Sequence, residues 1–131
     1  MLSYEALPDP ESFRILRLEP GARDAPIDCT LLTRNIHEPD LIYEAISYAW
    51  GDQSDRVSIT CNGQHLSITQ SLHGALAVFR LVDKPRLLWA DAICINQNDL
   101  QERGSQVQLM RSIYKSASEV LIWLGPESPK T

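Results

Sequence analysis

The run Leu87-Leu88-Trp89-Ala90-Asp91-Ala92-Ile93-Cys94-Ile95-Asn96-Gln97 sets a carboxylate inside an apolar stretch and ends on two amides. Packing alone asks for none of these polar groups. A strand that carries Asp91 and releases Asn96 and Gln97 at its carboxyl end is laid out as the floor of a pocket. A lone buried carboxylate is costly. Asp91 therefore reads in one of two ways: a structural acid held by loop amides, or an acid that contacts a ligand. Asn98-Asp99-Leu100-Gln101-Glu102-Arg103 follows directly and reads as a helix start. A helix N-terminus aimed at the same corner is a ready site for an anion such as a phosphate, which suits a nucleotide.

In open parallel sheets, ligands bind beyond the carboxyl ends of the strands. Three such ends can be placed, at Trp50-Gly51-Asp52, at Asn96-Gln97 and at Gly125-Pro126-Glu127. Glycine at the first and third lets a ligand or another backbone approach closely. The expected crevice is Trp50, Gly51, Asp52, Asp91, Asn96 and Gln97, with Glu102 and Arg103 at its rim. A plainer role is open to several of them. Asp52 and Asn98 serve equally as turn and cap residues, Trp50 as a core aromatic, and Glu102 and Arg103 as a helix cap and a surface pair.

The elements that must hold this corner follow from periodicity and turn signals. Residues 13–18 stop at Glu19-Pro20-Gly21, and residues 27–31 alternate, so the two pair as a hairpin with a long, mobile loop. Residues 43–49 form a central strand. Asn62-Gly63 is the strongest short hairpin signal, because a type I′ turn needs positive φ at both central residues. It sets Cys61 opposite Gln64, Ile59 opposite Leu66 and Val57 opposite Ile68, with the apolar members on one face. A helix follows, capped by Thr69 or Ser71, with an apolar face of Leu72, Ala75, Leu76, Phe79 and Val82. Lys84-Pro85 ends it.

Residues 87–93 then form a strand with Trp89, Asp91 and Ile93 on one face. The next helix starts at Asn98 or Asp99, with Gln101 or Glu102 completing a capping box. It buries Val107, Met110, Ile113, Tyr114 and Ala117. Residues 120–124 read as a strand buried on both faces. Strand, helix and strand make a βαβ unit, hence parallel strands and a right-handed crossover. No helix follows to cover the last strand, so the domain reads as incomplete.

Bulk properties exclude several classes. At 131 residues the chain is one domain with a real core, 44% hydrophobic and 22% charged. Acids outnumber bases 17 to 12, for a net charge of -5, and no basic stripe offers itself to nucleic acid. The N-terminus lacks the basic and apolar regions of a signal peptide, and no apolar run is long enough for a bilayer. Neither nucleic acid nor membrane is expected as a partner. Cys29, Cys61 and Cys94 are scattered and odd in number, which fits reduced thiols in a cytoplasmic protein. Cys94 shows no paired base, so a buried apolar thiol is its default. His65 falls on the opposite hairpin face from Cys61, and His37 and His73 have no local partners. No metal site is expected.

Two segments resemble a known family. Tyr43-Glu44-Ala45-Ile46-Ser47-Tyr48-Ala49-Trp50-Gly51-Asp52 looks like the first signature of the fungal heterokaryon incompatibility (HET) domain, and Ile46 stands where the family usually has leucine. Leu88-Trp89-Ala90-Asp91-Ala92-Ile93-Cys94-Ile95-Asn96-Gln97, with Asp99, Glu102, Arg103, Gln106 and Val107, looks like the second. Met110, Ile113-Tyr114, Ala117, Val120 and Trp123-Leu124-Gly125 continue it.

The resemblance implies a role in fungal non-self recognition that ends in programmed death of incompatible fusion cells. Residues 1–131 would be the N-terminal part of a single HET domain, with residues 1–12 a loose leading segment. The family is similar to TIR domains, which implies an α/β fold: a TIR-like, flavodoxin-like parallel sheet with helices on both faces and accessory N-terminal β-hairpins. Partners would be further copies of the chain or other incompatibility proteins. Some TIR domains cleave the nicotinamide bond of NAD with a glutamate. The resemblance therefore makes NAD a candidate substrate, places that glutamate beyond residue 131, and makes this chain by itself inactive.

Overall fold

The computed structural model describes residues 2–49 and 51–125. Ten elements follow one another: β1 (Ser12–Leu18), β2 (Asp28–Asn35), β3 (Glu44–Tyr48), β4 (Arg56–Cys61), β5 (Gln64–Thr69), α1 (Gln70–Phe79), β6 (Arg86–Trp89), α2 (Asp91–Cys94), α3 (Leu100–Ser116) and β7 (Glu119–Trp123). The seven strands form one sheet in the order β5-β4-β2-β1-β6-β3-β7.

The expected parallel core is present: β3 runs parallel to both β6 and β7. The two N-terminal hairpins are not accessory to it. The β1–β2 hairpin pairs antiparallel with β6 through β1, and β4 joins parallel to β2, so both hairpins extend the same sheet. The sheet is therefore mixed rather than parallel throughout. An exposed β6 edge would present unpaired backbone groups, and β1 closes it.

The Asn62-Gly63 turn is as read. Asn62 lies at φ 54° and Gly63 at φ 74°, and Cys61, Ile59 and Val57 oppose Gln64, Leu66 and Ile68.

Helices cover both faces. Tyr48 pairs with Trp123 while Ala45 pairs with Trp89, and positions 45 and 48 point to opposite sides of β3. Gly74 of α1 meets the Trp123 ring, whereas Tyr114 of α3 packs edge-on to Trp89 with centroids 5.3 Å apart. From β3 to β6 the path moves one way along the sheet, and from β6 to β7 it returns past β3. Crossovers between parallel strands are right-handed as a rule, and two of them in opposite directions put their helices on opposite faces. The core between these layers holds Phe13, Ile15, Leu16, Tyr43, Ile46, Leu76, Leu88, Trp89 and Ile113, all at most 1% exposed.

Several further expectations are corrected. Residues 91–94 are not strand but the single helical turn α2, in which Ile93 and Cys94 are both fully buried. The alternation drawn through Asp91 therefore does not exist. Ala90-Asp91-Ala92 has no β-branched residue, and this composition favours the turn.

Helix α1 ends at Phe79, not at Lys84-Pro85, and Val82 is exposed. Arg80 adopts an extended backbone and sends its guanidinium into the β1–β2 loop. There it donates to the carbonyls of Ala22, Arg23, Ala25 and Pro26. The loop expected to be mobile is tied down by this side chain and by the Gly21 N–H, which donates to the Leu81 carbonyl at 3.0 Å. Arg80→Ala is expected to cost about 2–3 kcal/mol in urea unfolding, because it removes charge-assisted bonds to four part-buried carbonyls at once. A loss below about 0.5 kcal/mol, the level of an ordinary surface change, would show that the loop holds without it.

Helix α3 buries Gln106 rather than Val107, and Met110, Ile113 and Ala117 continue that stripe. Gln106 Nε2 donates to the Ser12 carbonyl at 2.9 Å, so a polar side chain occupies a core position with its donor satisfied.

The leading segment is docked, not loose. The Leu2 and Ser3 N–H groups donate to the His65 carbonyl and the Gln64 side chain, and the Tyr4 hydroxyl donates to the Ile93 carbonyl at 2.7 Å.

Candidate functional site

The carboxyl ends of β3 and β6 open onto one crevice of about 310 Å³, lined by Tyr48, Gln53, Arg56, Ile68, Thr69, Asp91, Ala92 and Gln97. Asp91 enters it from the first turn of α2, where its carboxylate meets its own N–H and that of Ala92. The Tyr48 hydroxyl lies 3.4 Å from Asp91 Oδ1. Burial raises the pKa of Asp91 above the ordinary carboxylate value, and these hydrogen bonds only partly oppose it. Burial, then the charge and hydrogen bond of Asp91, likewise push the Tyr48 phenol upward. A carboxyl whose pKa is raised, beside a phenol that stays protonated, can exchange a proton with a ligand or accept its hydroxyls.

The eight expected residues fall as follows. Asp91 and Gln97 line the crevice together, and Gln97 Nε2 also donates to the Asp91 carbonyl at 2.9 Å. Arg103 lies on the other side of Asp91, where it shares a hollow of about 160 Å³ with Asp91, Ile95, Gln97, Val107 and Met110. Asn96 holds the turn: its Oδ1 accepts the Asn98 N–H at 3.2 Å and its own N–H donates to Glu102.

Asp52 is exposed and accepts both the N–H and the hydroxyl of Ser54, which lower its pKa. Its neighbour Gln53 is the residue of this loop that reaches the crevice. Gly51 lies at φ 62°, and a Cβ there would come 3.3 Å from Ser71 Cβ. It allows the chain leaving β3 to turn close over the start of α1. Trp50, the eighth, lies outside the described residues.

Glu102 performs neither role read for it. Asp99 does cap α3, accepting the Glu102 N–H at 3.1 Å, but the Glu102 side chain turns inward. It forms a two-pronged ion pair with Arg14 at 2.7 and 2.9 Å, with the side chains 3% and 8% exposed. Arg14 also donates to the carbonyls of Cys94 and Glu5, and its guanidinium lies 4.9 Å from the Tyr4 ring centroid. Since Glu102 also accepts the Asn96 N–H at 2.7 Å, this pair fixes the turn between α2 and α3. Arg14, Tyr48, Gln53 and Arg56 were not anticipated at this corner. A signal for the first existed: an arginine within Phe13-Arg14-Ile15-Leu16 needs a buried partner.

The thiols stay structural. Cys94 is fully buried and burial pushes its pKa up to about 12, which leaves no thiolate for nucleophilic work. Cys29 and Cys61 oppose each other across β2 and β4, both buried. The hydrogen bond between them, together with burial, raises the Cys29 thiol.

The chain matches known proteins on both sides of this crevice. A family model described as heterokaryon incompatibility protein (HET) matches residues 43–131. Heterokaryon incompatibility protein 6, OR allele, of Neurospora crassa is 37% identical over an alignment covering 96% of this chain and 21% of that protein. The chain thus spans about a fifth of the length of that curated relative. No solved structure matches. With a relative of this identity along nearly the whole chain and a family match from β3 onward, the chain belongs to the heterokaryon incompatibility family.

Proposed function

We propose that this chain carries the ligand crevice of an effector of fungal non-self recognition, one that acts in the cytoplasm and triggers programmed death of incompatible fusion cells. The observation that supports this most is the Asp91 crevice, which sits inside the family-matching segment, at the sheet edge where α/β domains bind ligands. The parallel strands support a TIR-like reading as well. In chain order β3, β6 and β7 lie side by side as 2-1-3, the order that opens a flavodoxin-like sheet. No helix among the described residues is long and apolar enough to cross a membrane.

The test is inducible expression of the whole protein in a compatible fungal strain, scored by viability after hyphal fusion. Growth arrest is expected. Unimpaired growth at verified expression would sink the proposal.

A second reading, hydrolysis of NAD, is favoured by a carboxyl of raised pKa flanked by Arg56 on one side and Arg103 on the other. Nicotinamide release is expected from the whole protein. No release would leave a module that signals by association.

Association is supported by β7. Among the described residues it ends the sheet, and Val120 and Ile122 on one face are 42% and 65% exposed. An edge with Glu119 as its one charge and an exposed apolar face invites pairing with another chain. Ile122→Lys is expected to shift the protein toward monomer in sedimentation velocity at matched concentration. An unchanged distribution would count against association through this edge.

A further inference from the structure

We propose that Arg56 is an anion anchor placed at the middle of an extended ligand, and that a second groove beyond it holds the ligand's far half. The inference rests on the reading of the Asp91 crevice as a nucleotide site. Arg56 lines two hollows at once: the Asp91 crevice of about 310 Å³, and a groove of about 540 Å³ walled by Tyr4, His65, Asn96 and Asn98. Gln97 and Ala92 are shared by both, so the two hollows meet at α2 and the turn after it.

The guanidinium is fixed in place. Nε donates to the Ser67 hydroxyl at 2.8 Å, one terminal nitrogen to the Ser67 carbonyl at 2.8 Å, and the other to the Gln53 carbonyl at 3.3 Å. A guanidinium carries five N–H groups. Two therefore remain, one on each terminal nitrogen, enough for a two-pronged grip on a phosphate or carboxylate. Among the described residues Arg56 has no carboxylate within ion-pair distance. The groove adds an imidazole, three amides and three hydroxyls and no acid, on a chain whose net charge is -5.

The position of the fork decides the ligand class. An anchor at the end of a hollow fits a terminal phosphate. An anchor between two hollows fits a bridging one, with a ring system on each side. The ligand is accordingly a phosphate-bridged pair of nucleosides, with one sugar reaching Asp91 and the other half lying against His65 and Asn98.

The experiment measures binding of adenosine, adenosine diphosphate and diadenosine pyrophosphate by calorimetry. The proteins are wild type, Arg56→Gln, Arg56→Lys and Asn98→Trp, each checked by thermal unfolding. The bridged ligand is expected to bind wild type at least about tenfold more tightly than adenosine diphosphate. Arg56→Gln should weaken both phosphorylated ligands about tenfold and leave adenosine unchanged. Arg56→Lys keeps the charge without the fork and should fall between. Asn98→Trp fills the groove and should remove only the advantage of the bridged ligand. If adenosine diphosphate binds but Arg56→Gln binds it equally well, or if the bridged ligand gains nothing, the crevice stands and this proposal falls. If none of the three ligands binds wild type, both fall.

Discussion

Glu102→Ala is expected to lower the stability of the fold by about 3–5 kcal/mol, the usual result of removing one partner of a buried ion pair. The loss is a large part of the roughly 5–15 kcal/mol that holds a domain together. The size follows from what remains. Arg14, with a side chain 3% exposed, would keep its charge with two carbonyls and the face of Tyr4 as its company. The Asn96 N–H would lose its acceptor as well. Arg14→Ala should cost a similar amount, since it strands the carboxylate. The paired replacement Arg14→Met with Glu102→Leu should recover most of the loss, because an apolar pair of similar volume carries no desolvation cost. Urea unfolding of the four proteins gives the comparison. Burial also means that raising the salt concentration should change the single-variant losses little. If Glu102→Ala costs less than about 1 kcal/mol, the pair behaves like a surface bridge and does not organise the corner.

That pair also shows how far the sequence could be read. Local signals transferred well where one interaction dominates. Asn62-Gly63 dictates its own turn and, through the pleat, the whole β4–β5 register. The three parallel strands followed from their apolar runs and the helices between them. Reading failed where a distant partner decided the outcome. Helix α1 stops at Phe79 because Arg80 has loop carbonyls 54 to 58 residues earlier to satisfy, and nothing near Arg80 announces them. Gln106 displaces Val107 from the buried face of α3 because the Ser12 carbonyl, 94 residues away, accepts its amide. The β1–β2 hairpin reads as an accessory because the sequence does not say which strand β1 will pair with on its other side. The crevice was legible at Asp91 and Gln97, whose polarity stood out against an apolar run. It was not legible at Tyr48 and Arg56, which in isolation look like ordinary strand-end residues.

Asp91→Asn is expected to make the fold more stable at neutral pH while silencing the module. Burial raises the pKa of Asp91 in the folded state above its unfolded value, near 3.9 for a free side chain. A group raised in this way favours the folded state fully only below the unfolded pKa, and that contribution is lost as pH rises through the folded pKa. At pH 7 the ionised carboxylate is therefore a cost, which the neutral amide removes. The amide oxygen can still accept from Tyr48 and from the Ala92 N–H, so the local structure needs no rearrangement. The gain in Tm should be present at pH 7 and shrink toward nothing below about pH 4, where the native carboxyl is protonated too.

Function should move the other way. If the crevice transfers a proton in NAD cleavage, turnover by the whole protein should drop about 10²–10⁴-fold, the usual contribution of a positioned acid or base. Growth arrest after hyphal fusion should be lost with it. A stabilised variant that still arrests growth would make Asp91 a structural acid and move the active chemistry away from this crevice. A variant destabilised at pH 7 would mean that the charge itself, not the hydrogen bonds, holds α2 in place.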